Sequence, residues 1–174
     1  MIIGRKNEEI KIKGLSTRKE KIKLYCCCGD IWDYHKNGAW ICITTNGTIR
    51  GDGACIMGRG VALQAKRRYP QLPYEIGANI ARIGNHCCVL KEYKIITFPV
   101  KWRYNNKANI NLISESAHEL MEILDKHGIY KVYLPKPGCN NGKLDWNDVK
   151  AVIETILDER VIIVDKNESQ TKNF

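Results

Sequence analysis

An apolar run that ends in Asn-Gly and gives way at once to a glycine-rich stretch organises this chain. It reads Ile43-Thr44-Thr45-Asn46-Gly47-Thr48, then Gly51-Asp52-Gly53-Ala54-Cys55-Ile56-Met57-Gly58-Arg59-Gly60-Val61-Ala62-Leu63-Gln64. Five glycines fall from Gly47 to Gly60, and a helical pattern follows directly. That combination builds a backbone cradle at a helix N-terminus, where unpaired N–H groups and the positive end of the helix dipole face an anion. Glycines let the main chain approach a phosphate with no Cβ in the way. The plainer alternative is a surface loop that the glycines merely turn.

Two familiar phosphate loops are excluded by the letters. A P-loop ends in Gly-Lys-Ser/Thr, but Gly58 is followed by Arg59 and Gly60 by Val61, and no G-x-G-x-x-G is present. A phosphorylated ligand held in neither of those ways is expected.

The length of 174 residues suits one domain with a core between layers. No run of about 18 apolar residues is present to span a membrane, and Met1-Ile2-Ile3-Gly4-Arg5-Lys6 lacks the long apolar stretch of a signal peptide. An intracellular, cytoplasmic protein without a membrane partner is expected. The net charge of +9 favours polyanionic partners such as nucleic acid or pyrophosphate compounds. Eight Lys/Arg face three Glu in the first 23 residues, which reads either as a solvated face or as a basic arm for nucleic acid. The eight cysteines include the neighbours Cys26-Cys27-Cys28 and Cys87-Cys88. Strand neighbours point to opposite faces, and no C-x-x-C pair matches metal spacing. Buried thiols are expected, with no metal and no cofactor.

Alternating polar and apolar residues over 9–14 and 21–26 predict two strands, a hairpin at a sheet edge. After them comes Gly29-Asp30-Ile31. Asp30 either accepts hydrogen bonds from an exocyclic amine or ribose hydroxyl, or caps a short turn over 31–34. Residues 39–43 predict a strand covered on both faces, delivering Asn46 into the cradle. Helices are expected over 57–69, stopped by Pro70, and over 72–83. Residues 87–90 and 93–98 read as a strand pair, and the second leads into a loop of cations and aromatics, Pro99-Val100-Lys101-Trp102-Arg103-Tyr104. Ile113, Ala117, Leu120 and Leu124 mark a helix of about 16 residues that Gly128 ends, with His118 on its surface. Residues 130–134 form a strand, followed by a second glycine-rich turn into a helix: Pro135-Lys136-Pro137-Gly138-Cys139-Asn140-Asn141-Gly142-Lys143-Leu144-Asp145-Trp146. Asp145 is its expected N-cap, Val149, Val152, Ile153 and Ile156 its buried stripe, and residues 160–164 the last strand. Two glycine-rich turns at strand ends, each opening a helix, suit a diphosphate gripped outside the carboxyl edge of an α/β sheet.

Four ordered pieces now resemble the macro domain, a family that binds ADP-ribose. They are Gly29-Asp30-Ile31, Thr45-Asn46-Gly47, Met57-Gly58-Arg59-Gly60-Val61-Ala62-Leu63-Gln64, and the stretch from Pro137 to Trp146. The resemblance implies a three-layer α/β/α sandwich with a mixed central sheet over 21–165, flanked by a basic extension (1–20) and a polar tail (166–174). It implies that Asp30 meets the adenine amino group with Gly29 and Ile31 beside it. It also implies that Met57, Gly58, Arg59, Gly60 and Val61, with Pro137, Gly138, Cys139, Asn140, Asn141 and Gly142, wrap the diphosphate and distal ribose, with Asn46 and Gly47 near that ribose.

Phe98-Pro99-Val100-Lys101-Trp102 is similar to the Phe-Pro-Thr-Lys segment of macro domains that remove ADP-ribose from nucleic acid or protein, including DNA ADP-ribosyl glycohydrolase antitoxins. In those the lysine is catalytic. The resemblance implies a hydrolase in which Lys101, Asn46 and Asp145 act at the terminal ribose, and an ADP-ribosylated nucleic acid or protein as partner. Val100 departs from the threonine of that segment, and Gly142 stands where some relatives carry a catalytic acid. Two alternatives remain: a phosphatase acting on ADP-ribose 1''-phosphate, and a non-catalytic binder of ADP-ribose or a related nucleotide. A surface lysine that only attracts the ligand's charge is the plainer role for Lys101.

Overall fold

The computed structural model describes residues 24–166. Within them, β1 (Tyr25–Cys28) leads to α1 (Ile31–Lys36), β2 (Trp40–Asn46), α2 (Gly60–Arg68), α3 (Leu72–Ile83) and β3 (Val89–Leu90). Then follow β4 (Ile95–Lys101), α4 (Ile110–His127), β5 (Val132–Pro135), α5 (Trp146–Ile153) and β6 (Val161–Asp165). The described strands form one mixed sheet in the order β1-β6-β5-β2-β4-β3. All its pairings are parallel except that of β3 with β4.

The sheet is buried on both faces because its strands are apolar at consecutive positions. In β2, Ile41 and Ile43 join Trp32, Ala65, Leu72 and Ile76 under α1, α2 and α3, while Cys42 between them joins Ile113, Leu120, Leu124 and Ile153 under α4 and α5. In β4, Ile95 faces the first set and Ile96 and Phe98 the second. Two cores on opposite faces of one sheet make the expected three layers. Helix ends follow local chemistry: Asn109 caps α4 by accepting from Leu112 N at 3.0 Å, and Gly128 closes it with φ 62°.

Several local expectations shift. The helix expected over 57–69 begins only at Gly60, because Met57 is buried and residues 57–59 belong to the loop. The strand over 130–134 runs Val132–Pro135, and Tyr130 is 85% exposed. Strand β3 is only two residues long and is joined to β4 by a 3-10 turn, Lys91–Tyr93. In α5, Val149 and Ile153 are buried and Val152 is half-buried; Ile156 lies past the helix end, where Leu157 is the buried residue. Cys42, Cys55 and Cys87 are buried as expected, whereas Cys26 and Cys28 are exposed on β1. Of the expected hairpin at residues 9–26, only the part from Leu24 lies in the described residues, and β1 pairs parallel with β6. The tail from 167 onward also lies outside them.

The most consequential shift concerns Pro99, Val100 and Lys101, which end β4 and are not loop. Proline fits because β3 pairs only with Ile95 and Ile96, so among the described residues no strand on the outer side of β4 past Thr97 asks for an N–H. On the inner side Thr45 pairs with Pro99 and Asn46 with Lys101, so Val100 is an extra residue in a bulge. Bulges re-aim the residues beside them, and this one sets Lys101 opposite Asn46. The buried Ser116 of α4 holds it by donating from Oγ to the Pro99 carbonyl at 2.7 Å. Ser116→Ala removes a buried donor, and chemical denaturation should show a loss of about 1–3 kcal/mol.

Candidate functional site

Parallel strands put their carboxyl ends on one rim. Along it stand Asp30 after β1, Lys136 after β5, Asn46 ending β2 and Lys101 ending β4. From β1 to β4 is four inter-strand steps of about 4.8 Å, roughly 19 Å before twist. The rim is therefore long enough for an elongated ligand.

The first loop hangs from Asn46. Its Nδ2 donates to Ile56 O at 2.8 Å and its Oδ1 accepts from Thr48 N at 2.9 Å, so one side chain ties both ends of the glycine stretch. Gly47 admits a close approach: a Cβ there would lie 2.9 Å from Asn85 Cγ and 3.0 Å from the Trp102 carbonyl oxygen. The loop opens into α2, whose first turn carries no acidic residue and whose N-cap, Arg59, makes no side-chain cap hydrogen bond. Helices α1, α4 and α5 are each capped by a side chain. The N–H groups of α2 are thus left for another acceptor.

The second loop folds on itself, with Leu144 N donating to Gly138 O at 3.0 Å and Lys143 N to Asn140 O at 3.1 Å. Any Cβ at Gly142 would stand 2.3 Å from Gly138 O. The loops meet: Asn141 Nδ2 comes within 3.1 Å of where a Cβ would sit on Gly60. Lys101 Nζ donates to Asn141 O at 3.0 Å and spans from β4 to the second loop. Both glycine turns therefore lie on one rim and touch, as a diphosphate cradle requires.

Lys101 is held below the ordinary lysine pKa, first by burial and then by the charges of Arg59 and Lys143. Partial desolvation and like charges both disfavour the ammonium form. The tertiary fold brings Arg59 and Lys143 up to Lys101 from two different loops. Such a cluster is ready for an anion and holds a lysine whose neutral amine is more accessible than usual. Cys139, in the second loop, is pushed up to about 11, first by burial, so its thiol stays protonated.

The other expected site residues divide. Asp30 does cap α1, its Oδ1 accepting from Trp32 N at 3.0 Å, while Oδ2 lies 3.8 Å from Lys166 Nζ. Both roles considered for it are thus compatible. Ile31 and Met57 are buried, which leaves only their backbone for a ligand; Gly29, Gly58, Val61, Pro137 and Asn140 lie in or next to the rim loops. Asp145 is exposed and caps α5, its Oδ1 accepting from Asn147 N at 2.8 Å. Asn46 is committed through both ends of its amide, so its evident work is shaping the loop. Two residues escaped the sequence reading. Lys143 carries no signal of its own within the second glycine-rich turn, and Asn85 carries no motif: Asn85 donates to Lys101 O at 2.9 Å, and its buried Oδ1 has no hydrogen-bond partner among the described residues.

Removing either neighbouring charge should relax the lysine. In Arg59→Gln and in Lys143→Gln, the Lys101 pKa, followed by NMR of its ε-carbon, is expected to move up toward the ordinary value.

No family model matches the chain. A DNA ADP-ribosyl glycohydrolase of Mycobacterium tuberculosis is 35% identical over 104 residues, covering 55% of this chain and 30% of that protein. The chain thus spans under a third of the length of that relative. Among solved structures, the macrodomain of Mycobacterium tuberculosis DarG is similar with a TM-score of 0.65 and 24% identity, over 82% of this chain and 97% of that one. Thermosipho africanus DarTG in complex with ADP-ribose is similar with a TM-score of 0.63 and 19% identity, over 82% of this chain and 42% of that one. The mixed sheet, the two touching glycine loops on its carboxyl rim and these likenesses agree, and the chain has the macrodomain fold.

Proposed function

We propose that this protein binds ADP-ribose along the carboxyl rim and hydrolyses its bond to a carrier, with ADP-ribosylated nucleic acid as the substrate and the cytoplasm as the setting. The observation that carries the reading is the junction at Lys101: Nζ on Asn141 O, with Arg59 and Lys143 close enough to depress its pKa. A diphosphate at the touching loops receives backbone N–H groups and cations together. The adenine then extends toward Asp30 and the terminal ribose toward Lys101. A relative named for DNA ADP-ribosyl glycohydrolysis and a structural neighbour holding ADP-ribose support the ligand and the reaction.

In its neutral form the Lys101 amine has two uses. It attacks the anomeric carbon, so that the bond to the carrier breaks with its electron pair leaving on the carrier atom, or it takes the proton of the water that attacks there. Reductive trapping with borohydride separates the two, since only the first leaves ADP-ribose on Lys101. Both uses need the neutral amine, so kcat/KM rises with pH through the depressed lysine pKa of the free protein. The same three cations would also suit a phosphate on the terminal ribose, so release of inorganic phosphate from ADP-ribose 1''-phosphate, with no release from oligonucleotides, would replace this reading by a phosphatase.

Lys101→Ala is expected to slow release of ADP-ribose from a modified oligonucleotide by about 100-fold or more, while calorimetric ADP-ribose affinity changes much less. Equal turnover in variant and wild type removes Lys101 from the chemistry. Asp30→Asn keeps an N-cap of equal quality but replaces a carboxylate acceptor. Its melting temperature should hold while ADP-ribose binds about 10-fold more weakly.

A further inference from the structure

Residues 102–107, between β4 and α4, are exposed throughout: Trp102, Arg103, Tyr104, Asn105, Asn106 and Lys107. Trp102 is 50% and Tyr104 54% exposed, among the most exposed large apolar side chains described. Nothing in the fold requires two aromatics there. Yet the loop is not loosely hung. Tyr104 N donates to Thr48 Oγ1 at 3.0 Å, and the Trp102 carbonyl packs against Gly47, which ties one end to the first glycine loop. Ala108 N donates to Gly142 O at 3.0 Å, which ties the other end to the second. Asn109 N then closes onto Val100 O at 2.8 Å. Lys101 stands at its root.

We infer that this loop is a stacking platform for single-stranded nucleic acid, receiving the bases that flank the ADP-ribosylated nucleotide. The inference rests on the reading of the site above and deepens it by naming the surface that recognises the carrier. Exposed aromatic faces alternating with cations bind unpaired bases and their phosphates together, and stacking tolerates any base because each has a π-face. Arg103 and Lys107 on the loop, with Arg59 and Lys143 beside its root, supply positive charge for a phosphate backbone. A folded or acidic protein carrier would find charge here but no reason for paired aromatics. Because the loop is fastened to both glycine turns, a base stacked on it is held in register with the bond at Lys101. Trp102 and Tyr104 are positioning residues in this scheme.

The test compares wild type with Trp102→Ala, Tyr104→Ala and the double variant. The probes are a fluorescein-labelled single-stranded DNA of about ten nucleotides, the RNA of the same sequence, the DNA duplex and free ADP-ribose. Single-strand affinity by anisotropy is expected to fall about 5- to 100-fold in the alanine variants, with Trp102→Phe retaining most of it. ADP-ribose affinity and melting temperature stay as in wild type. Arg103→Gln is expected to reduce the slope of log affinity against log salt by about 1. Loss with either strand supports the platform, and the strand that loses more identifies the carrier. Equal single-strand binding by wild type and double variant overturns the proposal, as does a duplex binding as tightly as the single strand. An ADP-ribosylated peptide losing as much turnover as the oligonucleotide would also overturn it, by showing a protein carrier. Should wild type ignore ADP-ribose, the proposed function fails separately, while the oligonucleotide comparison still reads the loop.

Discussion

Parallel pairing of β1, β6, β5, β2 and β4 is the constraint on which the rest depends. It sends every carboxyl end to the same edge, so loops far apart in sequence become neighbours there. An antiparallel arrangement would have dispersed the two glycine turns to opposite rims, and no ligand could have touched both. The price is burial on two faces, which the apolar runs of β2 and β4 and helices on both sides supply.

The bulge at Val100 turns this general edge into a specific site. With regular pairing past Thr45 and Pro99, Asn46 would stand opposite Val100; the extra residue moves Lys101 into that place. Proline, a short β3 and the Ser116 hydroxyl act together on this point, each meeting a need that another creates. Pro99 has no donor to offer, β3 stops before one is required, and Ser116 satisfies the proline carbonyl from the helix above. The lysine is then confined by the Asn141 carbonyl and by Asn85 on its own carbonyl.

Electrostatically the rim is under tension without a ligand. Partial burial, and then the charges of Arg59 and Lys143, hold the Lys101 pKa down. A bound diphosphate would relieve that repulsion, which links recognition to the state of the lysine: anions at the loops favour the ammonium form, and their departure favours the amine. The capping side chains show the same division of labour. Asp145 and Asn109 serve their own helices, whereas α2 keeps its N-terminus open toward the loops.

Much of this was legible in the residues themselves. Period-three-to-four patterns located the helices, Leu72–Ile83 to its termini, and the glycine turns announced themselves at strand ends because backbone conformation is a local property. The caps at Asp30 and Asp145 were readable for the same reason. Asn46 was found by its place in the turn, but the tie it makes to Ile56, ten positions on, was not. Only the tertiary structure decided which cations surround Lys101, that Asn85 sits against Gly47, and that the loop after β4 is fastened to both glycine turns. The contact between Lys101 and Asn141 joins residues 40 positions apart. Contacts of that kind follow from strand order, which is chosen by the packing of the whole sheet, and local periodicity carries no record of it.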